Sequence, residues 1–229
     1  MADLVGILAR SGMGKSTSIG KIDELGIMGL PPENTAIINI KGKSLPFPKW
    51  KEAYNSERKN YICTRDIASV IKYLKYFGSQ ENVKNIVIDD FQYVMSGKYM
   101  DDSGKKGFDK FVELGKGVWD ILETAAGLDE DIKVFVLSHI DKEGGDFGEV
   151  SYKMKTLGKM LDNVVTLEGL FTIVLYVEGE ISEGKVKRWF RTQSAGNDTA
   201  KSPFGMFPSL TIPNDLGLVA QYIDKYNNG

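Results

Sequence analysis

The chain has 229 residues, 42% hydrophobic, 26% charged and 10% aromatic, which is enough apolar side chain for one packed domain over 1–229 and too much for a disordered or collagen-like chain. Its 29 Lys and Arg against 31 Asp and Glu give a formal charge of -2, so no global basic field draws it onto nucleic acid or an anionic membrane, and only local patches can do so. Cys63 is the only cysteine and excludes an internal disulfide; the first residues lack the pattern of a secretory signal, and the most apolar tract, 164–177, is broken by Thr166, Glu168 and Gly169. A cytoplasmic protein without a membrane span is expected.

In chain order, 3–10 (DLVGILAR) is an apolar run that ends in Ser11-Gly12-Met13-Gly14, the pattern of a buried parallel strand feeding a glycine loop, and a helix is predicted from about Lys15. The β-branched run 35–40 predicts a second strand, and 41–51, with two prolines, a loop. Ile67, Val70, Ile71, Leu74 and Phe77 fall on one helical face. A third strand follows over 85–90 (NIVIDD), then helical spacing from Phe108 through Phe111, Val112, Val118, Trp119 and Leu122, then a fourth strand over 133–139 (KVFVLSH). Strands alternating with helices predict an α/β fold whose mostly parallel sheet is flanked by helices. Two further β-rich runs, 171–178 and 185–192, predict a C-terminal hairpin extending that sheet. Leu216, Val219, Ala220, Ile223 and Tyr226 predict a last helix capped by Asn214 or Asp215. Segments 96–107 and 141–152, rich in Gly and Lys, are expected to be mobile loops.

Ala9-Arg10-Ser11-Gly12-Met13-Gly14-Lys15-Ser16 matches a phosphate-binding loop with alanine at the leading glycine position. Glycines let backbone N–H groups curl around phosphate oxygens; Lys15 reaches the β- and γ-phosphates, and the Ser16 hydroxyl ligates Mg²⁺. Arg10, Ser11, Gly12, Met13, Gly14, Lys15, Ser16 and Thr17 are therefore the expected nucleotide-binding residues, with ATP and Mg²⁺ as cofactors. Asp89, at the end of an apolar strand, would hold the Mg²⁺ with Ser16, as the acidic residue of P-loop enzymes does. Asp90 would orient or deprotonate the attacking water, or else cap the turn that follows. A glutamate is commoner in that role, so hydrolysis is expected to be slow. His139, the sole histidine, ends the fourth strand beside Ser138; it is either a third catalytic residue, touching the γ-phosphate or its water, or a satisfied structural side chain.

Lys153, Lys155 and Lys159, and the cluster Lys185, Lys187, Arg188 and Arg191, can contact phosphate or can simply be a solvated face. Trp50, between Lys49 and Lys51, can stack on a base or pack.

The loop ARSGMGKS, the strand NIVIDDFQYVM, the strand VFVLSH and the tracts YKMKTLGKMLDN and FRTQSAGNDTAKSPFGMFPSLTIPNDL together resemble the phage nucleotide-binding proteins with a RecA-like P-loop ATPase core, some of which act in single-strand annealing and recombination. The resemblance implies an ATPase that engages single-stranded DNA and works in the cytoplasm of an infected bacterium. It also implies meeting phage replication or recombination proteins and self-associating with ATP between subunits. In such proteins the two loops after the carboxylate and sensor strands bind DNA, which here would be 96–107 and 141–152. A cation supplied in trans would come from Lys155, Lys159, Arg191 or Lys201. RecA-like recombinases carry an N-terminal polymerisation element, whereas here the first core strand begins within a few residues of Met1, so a filament is disfavoured and a ring or loose oligomer is open. The glutamate usual after the second strand is replaced by Lys41-Gly42-Lys43. Three other readings share the motif: a helicase-loader or motor subunit, a nucleotide-gated assembly module that barely hydrolyses, and a small-molecule kinase. The kinase is disfavoured because no arginine-rich lid is visible.

Overall fold

The computed structural model describes residues 1–104, 107, 109–144, 150–157 and 166–229. The described strands form one sheet in the order β3-β2-β4-β5-β1-β7-β8-β9, with β6 paired to β5 off that path. These are β1 (Asp3–Ala9), β2 (Thr35–Asn39), β3 (Tyr61–Cys63), β4 (Asn85–Asp89), β5 (Lys133–Gly144), β6 (Val150–Met154), β7 (Ile173–Ser182), β8 (Lys185–Arg191) and β9 (Thr211–Pro213). From β3 to β7 every neighbouring pair is parallel; β6, β8 and β9 are antiparallel additions. The expected α/β architecture with a mainly parallel sheet, helices on its faces and a C-terminal hairpin is present.

Side chains alternate between two cores, as the pleat requires. Leu4, Leu8, Ile38, Ile86, Ile88, Val134 and Val136 face α2 (Ile67–Gly78), α3 (Gln92–Asp101) and α4 (Asp109–Ala126). Val5, Ile7, Ile37, Val87, Phe135 and Leu137 face the other way, onto α5 (Leu216–Asn228) and a stretch of one-turn 3₁₀ segments. Residues of the central strands such as Val87 and Phe135 are wholly enclosed; each such side chain contributes roughly 1.5–3 kcal/mol of burial.

The helix predicted after the phosphate loop is a single 3₁₀ turn, Ser16–Ile19. Ser18 Oγ donates to the Lys15 carbonyl at 2.6 Å, and Gly20 then leaves in an extended conformation. At Gly20 a β-carbon would lie 2.2 Å from the Phe47 ring, so only glycine fits there. The shortened helix leaves a cleft of about 1000 Å³ at the amino-terminal ends of β2, β4 and β5, lined among others by Met28, Leu30, Tyr54, Asn85, Lys133 and Ala220.

Both segments expected to be mobile loops are largely regular where they are described. Residues 96–101 are the second half of α3, whose Val94 and Met95 pack into the first core. Residues 141–144 prolong β5 and pair with β6, Asp141 opposite Lys153 and Glu143 opposite Ser151. The β5–β6 ladder supplies the backbone partners that Gly-rich composition hides. Residues 105, 106, 108 and 145–149, which complete those expectations, lie outside the described residues, as does Phe108 of the predicted helical face. In the C-terminal hairpin the first strand runs on to Ser182, beyond the expected 178, while the second ends at Arg191. Only Glu183 (φ 53°) and Gly184 (φ 72°) turn, a two-residue loop with both centres left-handed. Trp50 opens a four-residue helix, α1 (Trp50–Ala53), and packs on Tyr61 with ring centroids 5.8 Å apart, which is the packing alternative.

Candidate active site

The register of the sheet fixes which residues meet. Ala9 pairs with His139 across β1 and β5, and Asn39 with Asp89 across β2 and β4. These pairs lie at one edge of the parallel sheet, the carboxyl side where ligands bind in open α/β sheets, with β5 running on past it.

In the phosphate loop Gly12 (φ 78°) and Gly14 (φ 91°) are left-handed, conformations that exclude most other residues. Lys15 is buried; its Nζ donates to the carbonyls of Ala9 and Arg10, 3.1 Å each, and so folds back over the loop. Burial lowers its pKa to about 8, opposed by Asp90 and Asp89, and it stays mainly protonated at neutral pH. Ser16 Oγ donates to Asp89 Oδ1 at 2.8 Å. The hydroxyl and carboxylate expected to share Mg²⁺ are thus already adjacent, a donor set of hard oxygens that suits that ion. Desolvation raises the Asp89 pKa to about 6 despite the Ser16 hydrogen bond, so a bound cation would relieve a disfavoured charge. Met13 is partly buried against the second core, and Ser11 is exposed. Thr17 is half-buried in the 3₁₀ turn. Arg10 reaches outward, donating to the Tyr152 hydroxyl at 3.4 Å.

Asp90 does not continue β4. Its φ of 62° turns the chain into α3, pinned by the Phe91 N–H donating to the Leu137 carbonyl at 2.9 Å and by the Tyr93 N–H donating to the Asp90 carbonyl at 3.0 Å. A left-handed aspartate is uncommon and strained, and such residues gather at functional sites. The turn points the two neighbouring carboxylates to different partners: Asp89 to Ser16, Asp90 to Lys43 Nζ at 2.8 Å and to Gln92 Nε2 at 3.4 Å. Gln92 Oε1 in turn accepts from the His139 N–H (3.1 Å) and Ser138 Oγ (3.3 Å), bridging the ends of β4 and β5. His139 Nε2 lies 3.8 Å from Asp90 Oδ1. Burial, with Lys15 next in effect, lowers the His139 pKa to about 4, so the ring is neutral at pH 7 and the contact is no ion pair.

Four contributors escape sequence reasoning. Lys43 and Gln92 carry no motif. Arg188 of β8 crosses back to the loop, its Nη2 3.4 Å from the Gly12 carbonyl, while Asn214 Nδ2 donates to the Gly14 carbonyl at 3.0 Å. Arg188 lay within a basic cluster, but nothing in the sequence says that it reaches residue 12 rather than solvent. Of the cations expected in trans, Lys155 donates its backbone N–H to the His139 carbonyl at 2.8 Å, which seats it at this edge of its own chain. Arg191 is held by Glu178 and Asp198, each at 2.5 Å, and lies over the Tyr176 ring. The Lys201 backbone bridges to Val174, and Lys159 lies outside the described residues.

No described helix is long and apolar enough to cross a membrane. No protein-family profile and no curated protein matches the chain. Among solved structures, the crystal structure of the KaiC-like protein PH0186 from the hyperthermophilic archaeon Pyrococcus horikoshii OT3 is similar over 92% of this chain and 88% of that one, at 10% identity and a TM-score of 0.47. A likeness of that size leaves the site to be read from its own geometry.

Proposed function

We propose that the chain is an ATP- and Mg²⁺-dependent P-loop ATPase of the RecA-like kind. The observation that carries the reading is the convergence at one sheet edge of Lys15, the Ser16–Asp89 pair and the Asp90–Gln92–His139 cluster, Ser16 Oγ lying 2.8 Å from Asp89. Lys15 would exchange its two carbonyl acceptors for the β- and γ-phosphates. Ser16 directly, and Asp89 through water, would hold Mg²⁺, which supplies neutralisation of phosphate charge. Asp90 accepts the proton of the attacking water, whose oxygen forms the new bond to the γ-phosphorus. The bond to the β–γ bridging oxygen breaks, and its electron pair leaves with ADP. Gln92 positions Asp90 against the end of β5, and neutral His139 offers a hydrogen bond without adding charge.

The finer reading is action on single-stranded DNA in phage recombination or replication, with ATP between subunits. What supports it is the motif resemblance and the continuity of β5, which runs from the site at His139 into the β5–β6 hairpin. The competing reading, a nucleotide-gated assembly module, is favoured by the Lys43–Asp90 ion pair, which keeps the water-activating carboxylate occupied. Hydrolysis rates with and without single-stranded DNA, at low and high salt, separate these. Stimulation that fades with salt is expected for DNA coupling through backbone phosphates, and an unchanged rate withdraws the DNA role.

A further inference from the structure

The loop after β2 stands where the resemblance implies a catalytic glutamate, and it carries a cation, Lys43, instead. Its shape is set by Asn39, a buried residue at the end of β2. Asn39 Oδ1 accepts from the Gly42 N–H at 2.7 Å, and its Nδ2 donates to the Lys43 carbonyl at 2.8 Å. Gly42 takes φ 71°, so the turn closes tightly and delivers Lys43 over the site. There Lys43 Nζ pairs with Asp90 at 2.8 Å and sits 4.9 Å from the centre of the Tyr93 ring. The two partners differ in freedom: the Lys43 side chain is 56% exposed, that of Asp90 only 11%. A long, half-solvated side chain therefore occupies a fixed, enclosed carboxylate.

The Lys43 ammonium occupies Asp90 Oδ2 at 2.8 Å, the oxygen a water would otherwise approach, so Asp90 must be vacated before water can reach it there. The γ-phosphate of ATP carries more negative charge than one carboxylate and would arrive beside the same ammonium group. We propose that Lys43 is a cation supplied in cis that leaves Asp90 for the γ-phosphate when ATP binds, so that one movement frees the base and neutralises the phosphoryl group under attack. ADP, lacking that phosphate, leaves the Lys43–Asp90 pair closed. The inference rests on the ATPase reading and deepens it, because it names the side chain of this same chain that meets the γ-phosphate.

Calorimetric titration with Mg²⁺ and either a non-hydrolysable ATP analogue or ADP tests this without relying on turnover. Lys43→Ala is expected to weaken the triphosphate analogue by roughly 10- to 100-fold, the worth of one charge-assisted contact, and to leave ADP within about twofold. Lys43→Arg should restore most of the difference. The double variant Lys43→Ala/Asp90→Asn separates contact from mere neutralisation. If Lys43 touches the γ-phosphate, the double variant stays weak for the triphosphate; if Lys43 only cancels the charge of Asp90, affinity returns and the proposal falls. Failure of the unaltered protein to bind either nucleotide would remove the ATPase reading itself, and the Lys43 proposal with it.

Discussion

The phosphate loop and the γ-phosphate edge lie side by side but are built in opposite ways. The loop is one contiguous stretch, residues 9–16, in which backbone carbonyls hold Lys15 and left-handed glycines set the curve. The edge draws Lys43, Asp90, Gln92 and His139 from the ends of three strands, and its bonds run between side chains 47 residues apart in sequence, as between Lys43 and Asp90. A cradle of backbone grips whatever phosphate enters it. A cluster of side chains can rearrange, and so can discriminate between nucleotides and time a reaction.

The comparison can be broken by substitutions on either side. The largest effect belongs to Asp90→Asn: turnover should fall by about 10²- to 10⁴-fold, the usual worth of a positioned general base, while nucleotide affinity persists. Loss of affinity in that variant would show that edge and loop are one binding unit. Lys15→Ala should lower affinity for ATP and ADP alike by on the order of 100-fold, measured by titration, since the contact removed is shared by both nucleotides. An ATP-only loss would move Lys15 from the cradle to the edge.

The nucleotide-free protein should also report the strained charge at the metal position. Asp89 binds its proton more tightly folded than unfolded, with a pKa of about 6 against 3.8. The native state thus holds more protons than the unfolded state across that window, and stability must fall as pH rises from about 4 to about 6, by up to about 3 kcal/mol. Chemical denaturation across that range should show the decline in the parent and its absence in Asp89→Asn. Smallest is Gln92→Ala, expected to cost about tenfold in kcat with little change in KM, because Gln92 positions Asp90 without touching substrate. Equal losses in both parameters would make it a binding residue.

The same division explains what was legible in the sequence. Glycines and the lysine of the phosphate loop are dictated by local backbone geometry, and the strands 3–9, 35–39, 85–89 and 133–139 are buried on both faces, so their residues announce themselves. The helix predicted after Lys15 is a single turn, and Phe47, 27 residues beyond Gly20, packs where a side chain at Gly20 would sit, a neighbour that no local pattern announces. The second half of α3 looks like a loop because Ser96 and Gly97 are weak helix formers in a helix that tertiary packing holds in place. Lys43 looked like an absence, the missing glutamate, since its value depends on a partner delivered by another strand.

Asp215 links the two ends of the story. Its carboxylate caps α5 by accepting from the Gly217 N–H at 2.9 Å, and it also accepts from the N–H groups of Met28 (2.7 Å) and Gly29 (3.0 Å). The neighbouring Asn214 holds the Gly14 carbonyl, 200 positions away. During synthesis, therefore, the loop leaves the ribosome some 200 residues ahead of the Asn214 that braces it. Nascent chains should acquire nucleotide affinity late and all at once, a delay set by the order of translation rather than by the chemistry of the loop.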